Sequence, residues 1–190
     1  MPVDTEQRDH ILLVTLNRPD KLNALNLEMT DQLTEVWRRF REDDDLWLAI
    51  VTGAGDRAFC SGADLGGSGD RPASAGRRPS EEEATALGGY YAWTPVNIWK
   101  PVIGAINGYT LAGGLALALS CDLRIASETA RIGSMAVKRG RMGGGGATQR
   151  LTRYLPFAKG LELLLFGDHV PWPRSWSALG WSTRWCHRMS

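Results

Sequence analysis

Two short turns of small residues carry the chemistry in this chain. One is Phe59-Cys-Ser-Gly-Ala-Asp-Leu65 and the other is Gly108-Tyr-Thr-Leu-Ala-Gly-Gly114. The first comes after a β-like run, Leu46–Thr52. The second directly follows the apolar run Pro101–Asn107 and feeds an apolar, helix-forming stretch, Leu115–Ser120. A helix start leaves its first N–H groups unpaired and carries partial positive charge, so it suits an oxygen that becomes negative during a reaction. Gly62-Ala63-Asp64 and Ala112-Gly113-Gly114 have side chains small enough for a ligand to approach the backbone. Either turn alone also reads as an ordinary strand-to-helix connection. Facing one another, they would offer two amides to a single oxygen.

Other chemistry finds less support. Cys60-Ser61 precedes Gly62 without a G-x-S-x-G elbow, and the only bases for a nucleophile are His10, His169 and His187. His10 opens a strand-like run, and the other two lie at or beyond a break in sequence character. No His/Cys/Asp/Glu cluster has metal-ligand spacing. Gly143–Gly146 lacks the Lys-Ser/Thr that completes a phosphate loop, so a tight turn explains it more simply.

The elements that must position the two turns alternate. His10–Leu16 reads as a buried strand closed by the turn Asn17-Arg-Pro-Asp-Lys21. Leu33, Val36, Trp37 and Phe40 then mark an amphipathic helix that Asn26 caps, and Leu46–Thr52 is the next strand. This order is the βαβ unit of a parallel sheet. Gly66–Ser80 reads as a mobile loop and Glu81–Lys100 as a helix interrupted near Pro95. After these come strand 101–107, helix 113–120, strand Asp122–Ala126, and helices near Ala147–Tyr154 and Phe157–Phe166. From Pro171 to Ser190 the pattern fails. That segment holds four of the eight tryptophans with neither helical nor alternating periodicity.

A chain of 190 residues can bury one sizeable core, and 43% apolar with 23% charged residues is an ordinary globular balance. A net charge of +1 gives no reason to expect nucleic acid as a partner. Cys60, Cys121 and Cys186 form no disulfide framework, which points to a reducing cytoplasm. Met1–Arg8 has no apolar core of a signal peptide. Pro101–Cys121 is the one stretch apolar enough to suggest a membrane span. Its β-branched first half, Asn107 and glycines fit strand, turn and helix better.

Taken together, the residues resemble the crotonase (enoyl-CoA hydratase/isomerase) superfamily. The matching stretches are Asn17-Arg-Pro-Asp-Lys-Leu-Asn-Ala-Leu25, Ala58-Phe-Cys-Ser-Gly-Ala-Asp-Leu65, Lys100-Pro-Val-Ile-Gly-Ala-Ile-Asn-Gly-Tyr109, Ala112–Ala126, Val137-Lys-Arg-Gly140, Gly146-Ala-Thr-Gln-Arg-Leu151 and Leu161–Asp168. The resemblance covers about residues 8–170 and implies an α/β fold of stacked ββα units that binds acyl-coenzyme A thioesters and assembles as homotrimers. It implies no resident cofactor, since coenzyme A enters as part of the substrate; from the spacing, charge and residue pattern above, no metal, nucleic acid or membrane is expected. By position, the N–H groups of Ala63 and Gly113 would hold the thioester oxygen as an oxyanion hole and stabilise an enolate-like state. Asp64, Leu65, Gly66 and Gly114, with Lys21, Asn23 and Ala24, would line the path of the coenzyme.

Two departures qualify the resemblance. Hydratases of the family use two glutamates as acid and base, and those positions fall on Ala116 and Ala136, whose methyls transfer no proton. Asp70 and Glu81–Glu83 are candidate substitutes, although a loop carboxylate also reads as a solvated charge. The second departure is at the C-terminus, where the resemblance stops after Gly167-Asp-His-Val170. Codons able to encode Trp181–Met189 can in another frame spell L-V-N-E-V-V-P-P-D, a phrase of the family's type. A frameshift near Val170 is the expectation, leaving a core domain over 1–170 and a foreign tail over 171–190. Three functions follow for weighing: an acyl-CoA enzyme of the hydratase/isomerase type, a non-catalytic CoA-binding remnant, and a nucleotide-binding α/β module. The absence of a P-loop Lys and of G-x-G-x-x-G weighs against the last.

Overall fold

The computed structural model describes residues 1–66, 94–95, 97–168, 170–171 and 184–186. Strands come in consecutive pairs whose members are shared between two sheets. The larger sheet runs β1 (Val3–Arg8), β2 (Ile11–Leu16), β3 (Leu48–Gly53), β5 (Val102–Ile106), β7 (Leu123–Ser127) and β10 (Arg184–Cys186). The smaller runs β4 (Ala58–Cys60), β6 (Tyr109–Leu111), β8 (Arg131–Gly133) and β9 (Val170–Pro171). Thus β3–β4, β5–β6 and β7–β8 each start in the large sheet and finish in the small one. Helices α1 (Leu27–Glu42), α2 (Gly113–Ser120), α3 (Ala147–Tyr154) and α4 (Phe157–Phe166) follow or connect these pairs. This is the stacked ββα arrangement expected from the sequence.

From β2 through β3, β5 and β7 to β10 the pairing is parallel, while β1 returns antiparallel on β2. The expected βαβ unit is β2–α1–β3. Asn26 caps α1 by accepting the Met29 N–H at 3.0 Å. Leu33, Trp37 and Phe40 bury the inner face of the helix in the core with Val14, Leu16 and Val51. Helices α3 and α4 span the residues their patterns indicate. Gly146, in the left-handed region, starts α3, so the glycine run is a turn.

Three features differ from the sequence reading. Met1–Arg8 contains an edge strand, β1. Only Val3 of that strand is buried, so it shows no apolar alternation. The Glu81–Lys100 helix falls mostly outside the described residues. Its described end is irregular, with Asn97 and Trp99 at positive φ. Arg184–Cys186, within the segment without pattern, pairs in parallel with Ile125–Ser127. An open sheet edge offers backbone groups to any extended segment, whatever its side chains. Among the described residues, no helix is long and apolar enough to cross a membrane, and no cluster of His, Cys, Asp and Glu could hold a metal. Cys60 and Cys121 are free thiols, buried and each pushed up to about 12 by desolvation.

Candidate functional site

The small sheet places the site. β4, β6 and β8 are adjacent and parallel, with Cys60 beside Thr110 and Leu111 beside Gly133. Their C-terminal ends therefore deliver three segments: the loop Ser61–Gly66, the turn at Ala112 into the start of α2, and Ser134–Gly140. Ligands in α/β folds bind at the carboxyl ends of parallel strands, where loops diverge and backbone groups are free.

The first two loops are pressed together. A Cβ on Gly62 would lie 2.8 Å from Gly113 N, Ala112 Cβ and Leu111 O, and Gly62 has φ +93°. Both facts exclude a side chain there. A Cβ on Gly114 would come within 2.0 Å of the Cys60 carbonyl, so the first turn of α2 rests directly on β4. A Cβ on Gly113 would sit 3.6 Å from Ala63 N. The two turns singled out in the sequence thus meet at Gly113 and Ala63.

Among the described residues, nothing accepts a hydrogen bond from the Ala63 or Gly113 N–H. The Leu25 N–H donates to Gly62 O at 2.8 Å, and the Asp64 N–H donates to Leu25 O at 2.9 Å. Because Ala63 is the middle residue of this parallel bridge with Leu25, its own N–H and C=O point to the opposite edge. Gly113 opens α2, so its N–H has no intrahelical acceptor. Among the described residues, no side chain caps this helix, and no acidic residue lies in its first turn. Ala112 turns the chain into α2 at φ 48° and ψ −112°, a conformation that costs an alanine of order 1–3 kcal/mol. The Ala112 N–H is held by Gly133 O at 2.9 Å, which ties the third loop in.

Behind Ala63 lies a residue that the sequence reading did not single out. Arg18 donates through Nη2 to Asp64 Oδ2 at 2.8 Å and through Nη1 to Ala24 O at 2.6 Å. The other Asp64 oxygen accepts the Gly66 N–H at 3.0 Å. That bond first, and the Arg18 guanidinium next, hold the Asp64 carboxyl below its ordinary value. Arg18 stood within the matching stretch Asn17–Leu25, but its partner is far away in sequence and no local pattern marks the pair.

The remaining expected residues occupy distinct places. Asn23 is fully buried. Its Oδ1 accepts the Arg18 N–H at 2.9 Å and its Nδ2 donates to Ala54 O and Ala58 O at 3.0 and 2.7 Å. Its side chain is directed into the protein and anchors the loop. Ala24 is buried, while Lys21, Leu65 and Gly66 are exposed along the outer rim. Ala116 is buried in α2, and Ala136 is half-buried where the third loop enters a short 3-10 turn, Val137–Arg139. Neither offers a titratable group. Asp70 and Glu81–Glu83 lie outside the described residues.

Comparison with known proteins agrees with this architecture. The family model described as enoyl-CoA hydratase/isomerase matches residues 6–173. The chain is 41% identical to an (E)-benzylidenesuccinyl-CoA hydratase of Thauera aromatica, over 90% of this chain and 64% of that protein. It is 37% identical to a probable mitochondrial enoyl-CoA hydratase of Dictyostelium discoideum, over 87% of this chain and 57% of that one. A crystal structure of enoyl-CoA hydratase from Mycobacterium tuberculosis superposes with a TM-score of 0.83 at 38% identity, covering 97% of this chain and 69% of that chain. The chain therefore spans less than two thirds of the length of these two curated relatives. With sequence and fold in agreement over nearly its whole described extent, the chain belongs to the enoyl-CoA hydratase/isomerase family.

Proposed function

We propose that the chain binds an acyl-CoA thioester and places its carbonyl oxygen between the N–H groups of Ala63 and Gly113. The observation that carries this reading is the meeting of those two open backbone positions at the ends of neighbouring parallel strands. Negative charge gathers on that oxygen when a thioester enolate forms, and two fixed amides stabilise it. Loss of one such donor in other enzymes costs about 2.7–4 kcal/mol of transition-state stabilisation. The exposed rim formed by Lys21, Leu65 and Gly66 is the place for the coenzyme arm, and Gly114 keeps α2 close enough to β4 for the amides to converge. Coenzyme A arrives as part of the substrate.

Within the family, the reaction that suits this site is hydration, isomerisation or a related enolate step. Ala116 and Ala136 favour a second reading, in which the protein binds CoA thioesters without turning them over. Calorimetry with crotonyl-CoA tests binding, and saturable heat is the expected result. Turnover of the same thioester separates the two readings, with hydration expected to be weak or absent. Failure to bind any CoA thioester would overturn both.

A further inference from the structure

We infer that Arg18 is a positioning residue that sets the direction of the Ala63 N–H by clamping, from behind, the two segments that hold it. The inference rests on the two-amide reading above and adds a residue to it.

Ala63 is fixed by its neighbours. Gly62 O and the Asp64 N–H both bond to Leu25. Rotation of the Ala63 amide must therefore break one of those bonds or move Leu25. Arg18 acts on both sides of that bridge. Nη1 bonds the carbonyl of Ala24, the residue before Leu25, and Nη2 bonds the carboxylate of Asp64, the residue after Ala63. A planar guanidinium spans two acceptors with fixed geometry, which a flexible ammonium does not reproduce. The base of the clamp is itself anchored, because the Arg18 N–H donates to buried Asn23. Asp64 cannot swing away freely, since its second oxygen accepts from Gly66.

The pair also differs from the other ion pairs among the described residues. Arg18 and Asp64 each have side chains only 20% exposed. Arg38 with Glu35, Arg8 with Glu6 and Lys159 with Glu162 are 45–67% exposed. Well-solvated pairs contribute little, whereas a sheltered pair with satisfied geometry holds its partners in place.

The test is spectroscopic. A push–pull cinnamoyl-CoA thioester carrying a dimethylamino donor absorbs further to the red when its carbonyl oxygen accepts hydrogen bonds. Saturating this probe with wild-type protein is expected to give a red shift. Arg18→Met and Asp64→Asn are expected to lose at least half of that shift at saturation, while the circular dichroism remains that of the folded wild type. Arg18→Lys, which keeps the charge but gathers its donors on a single nitrogen, should recover part of it. An undiminished shift in folded Arg18→Met and Asp64→Asn overturns the positioning role and leaves the two-amide reading intact. A probe that binds the wild type without any red shift overturns the two-amide reading itself. Should Arg18→Met fail to fold, Asp64→Asn and Arg18→Lys decide the matter.

Discussion

Gly113 approaches Ala63 so closely that a methyl group on the glycine would lie 3.6 Å from the alanine's amide nitrogen. The nearest atom to that methyl would be Leu25 Cδ1, at 3.2 Å, the end of a side chain that can shift. Gly113→Ala is therefore expected to cost about 1 kcal/mol or less in stability, since alanine also favours the helix. If a thioester oxygen is shared by the two amides as proposed, the methyl would crowd it from beside the Ala63 nitrogen. The amide itself is retained, so the expected effect is steric: the red shift of a bound probe should fall sharply. Gly114→Ala makes the contrast. Its methyl would meet the Cys60 backbone carbonyl at 2.0 Å, with no flexible group to give way. That variant is expected to lose more than about 3 kcal/mol, the upper end of ordinary overpacking. Urea titration and thioester binding on both variants check the pair.

Asn23 is expected to be a stability residue more than a ligand contact. Replacement by Ala leaves buried Ala58 O, and the part-buried Ala54 O and Arg18 N–H, without this partner. Each unsatisfied group costs about 1–3 kcal/mol, reduced where the loop relaxes. Asn23 also sits at φ 53°, in the left-handed region that Asn tolerates better than Ala. A loss of several kcal/mol is the expected outcome, read by chemical denaturation. An Asn23→Ala protein of unchanged stability but weakened CoA binding would return the residue to the substrate path.

How much was legible depended on how local the signal was. Asn26 with Leu33, Trp37 and Phe40 announced α1, because a cap and a helical stripe lie within one stretch of chain. The apolar runs of β2, β3 and β5 were legible for the same reason. β4, β6 and β8 were not, because three-residue strands are too short to display alternation. The two amide turns were legible as small-residue motifs, and the family resemblance indicated that they meet. The Arg18–Asp64 bond was illegible, since it depends on a long-range approach created by the Leu25–Ala63 bridge.

Asp64 links this site to acid stability. Its folded value lies below the ordinary 3.8, owing first to the Gly66 N–H and then to Arg18. A depressed carboxyl contributes stability that is fully present above the unfolded value and is lost as pH falls through the folded one. Asp64→Asn is therefore expected to be less stable than wild type by about 1–3 kcal/mol near neutral pH. The difference should narrow from about pH 4 downwards. Denaturation of both proteins at pH 7 and pH 3 measures it, and a gap that widens in acid would contradict the assignment.

An apolar stripe on α4 should govern solution behaviour. Phe157 and Leu165 are 66% and 64% exposed, and half-buried Leu161 lies on the same helical face. Gly160 and Leu163, by contrast, are buried. A contiguous exposed apolar patch drives association. The wild-type chain is expected to sediment as a broad, concentration-dependent distribution. Phe157→Lys with Leu165→Lys should narrow it. A single sharp trimer for the wild type would show that this face is already satisfied in an ordered assembly.

The expected proton-transfer positions, Ala116 and Ala136, give the most direct test of catalysis. Ala116 is buried in the second half-turn beyond Gly113, and Ala136 is half-buried on the neighbouring loop. If both stand where the family places its glutamates, the site can stabilise an enolate but cannot move a proton. Crotonyl-CoA hydration by the wild type should then lie close to background. Acid–base groups contribute about 10²–10⁴-fold each when correctly placed, and they act here as a pair. Ala116→Glu alone and Ala136→Glu alone are expected to add little, while the double variant should raise the rate by at least that range. A glutamate at 116 has to fit a packed helix face, so a stability loss of about 1–3 kcal/mol accompanies it. Its burial also raises the carboxyl, which suits the acid role. Hydration by the unmodified chain at an ordinary enzymatic rate would mean that another carboxylate performs the transfer. Alanine substitution of Asp70 and of Glu81–Glu83 would then identify it.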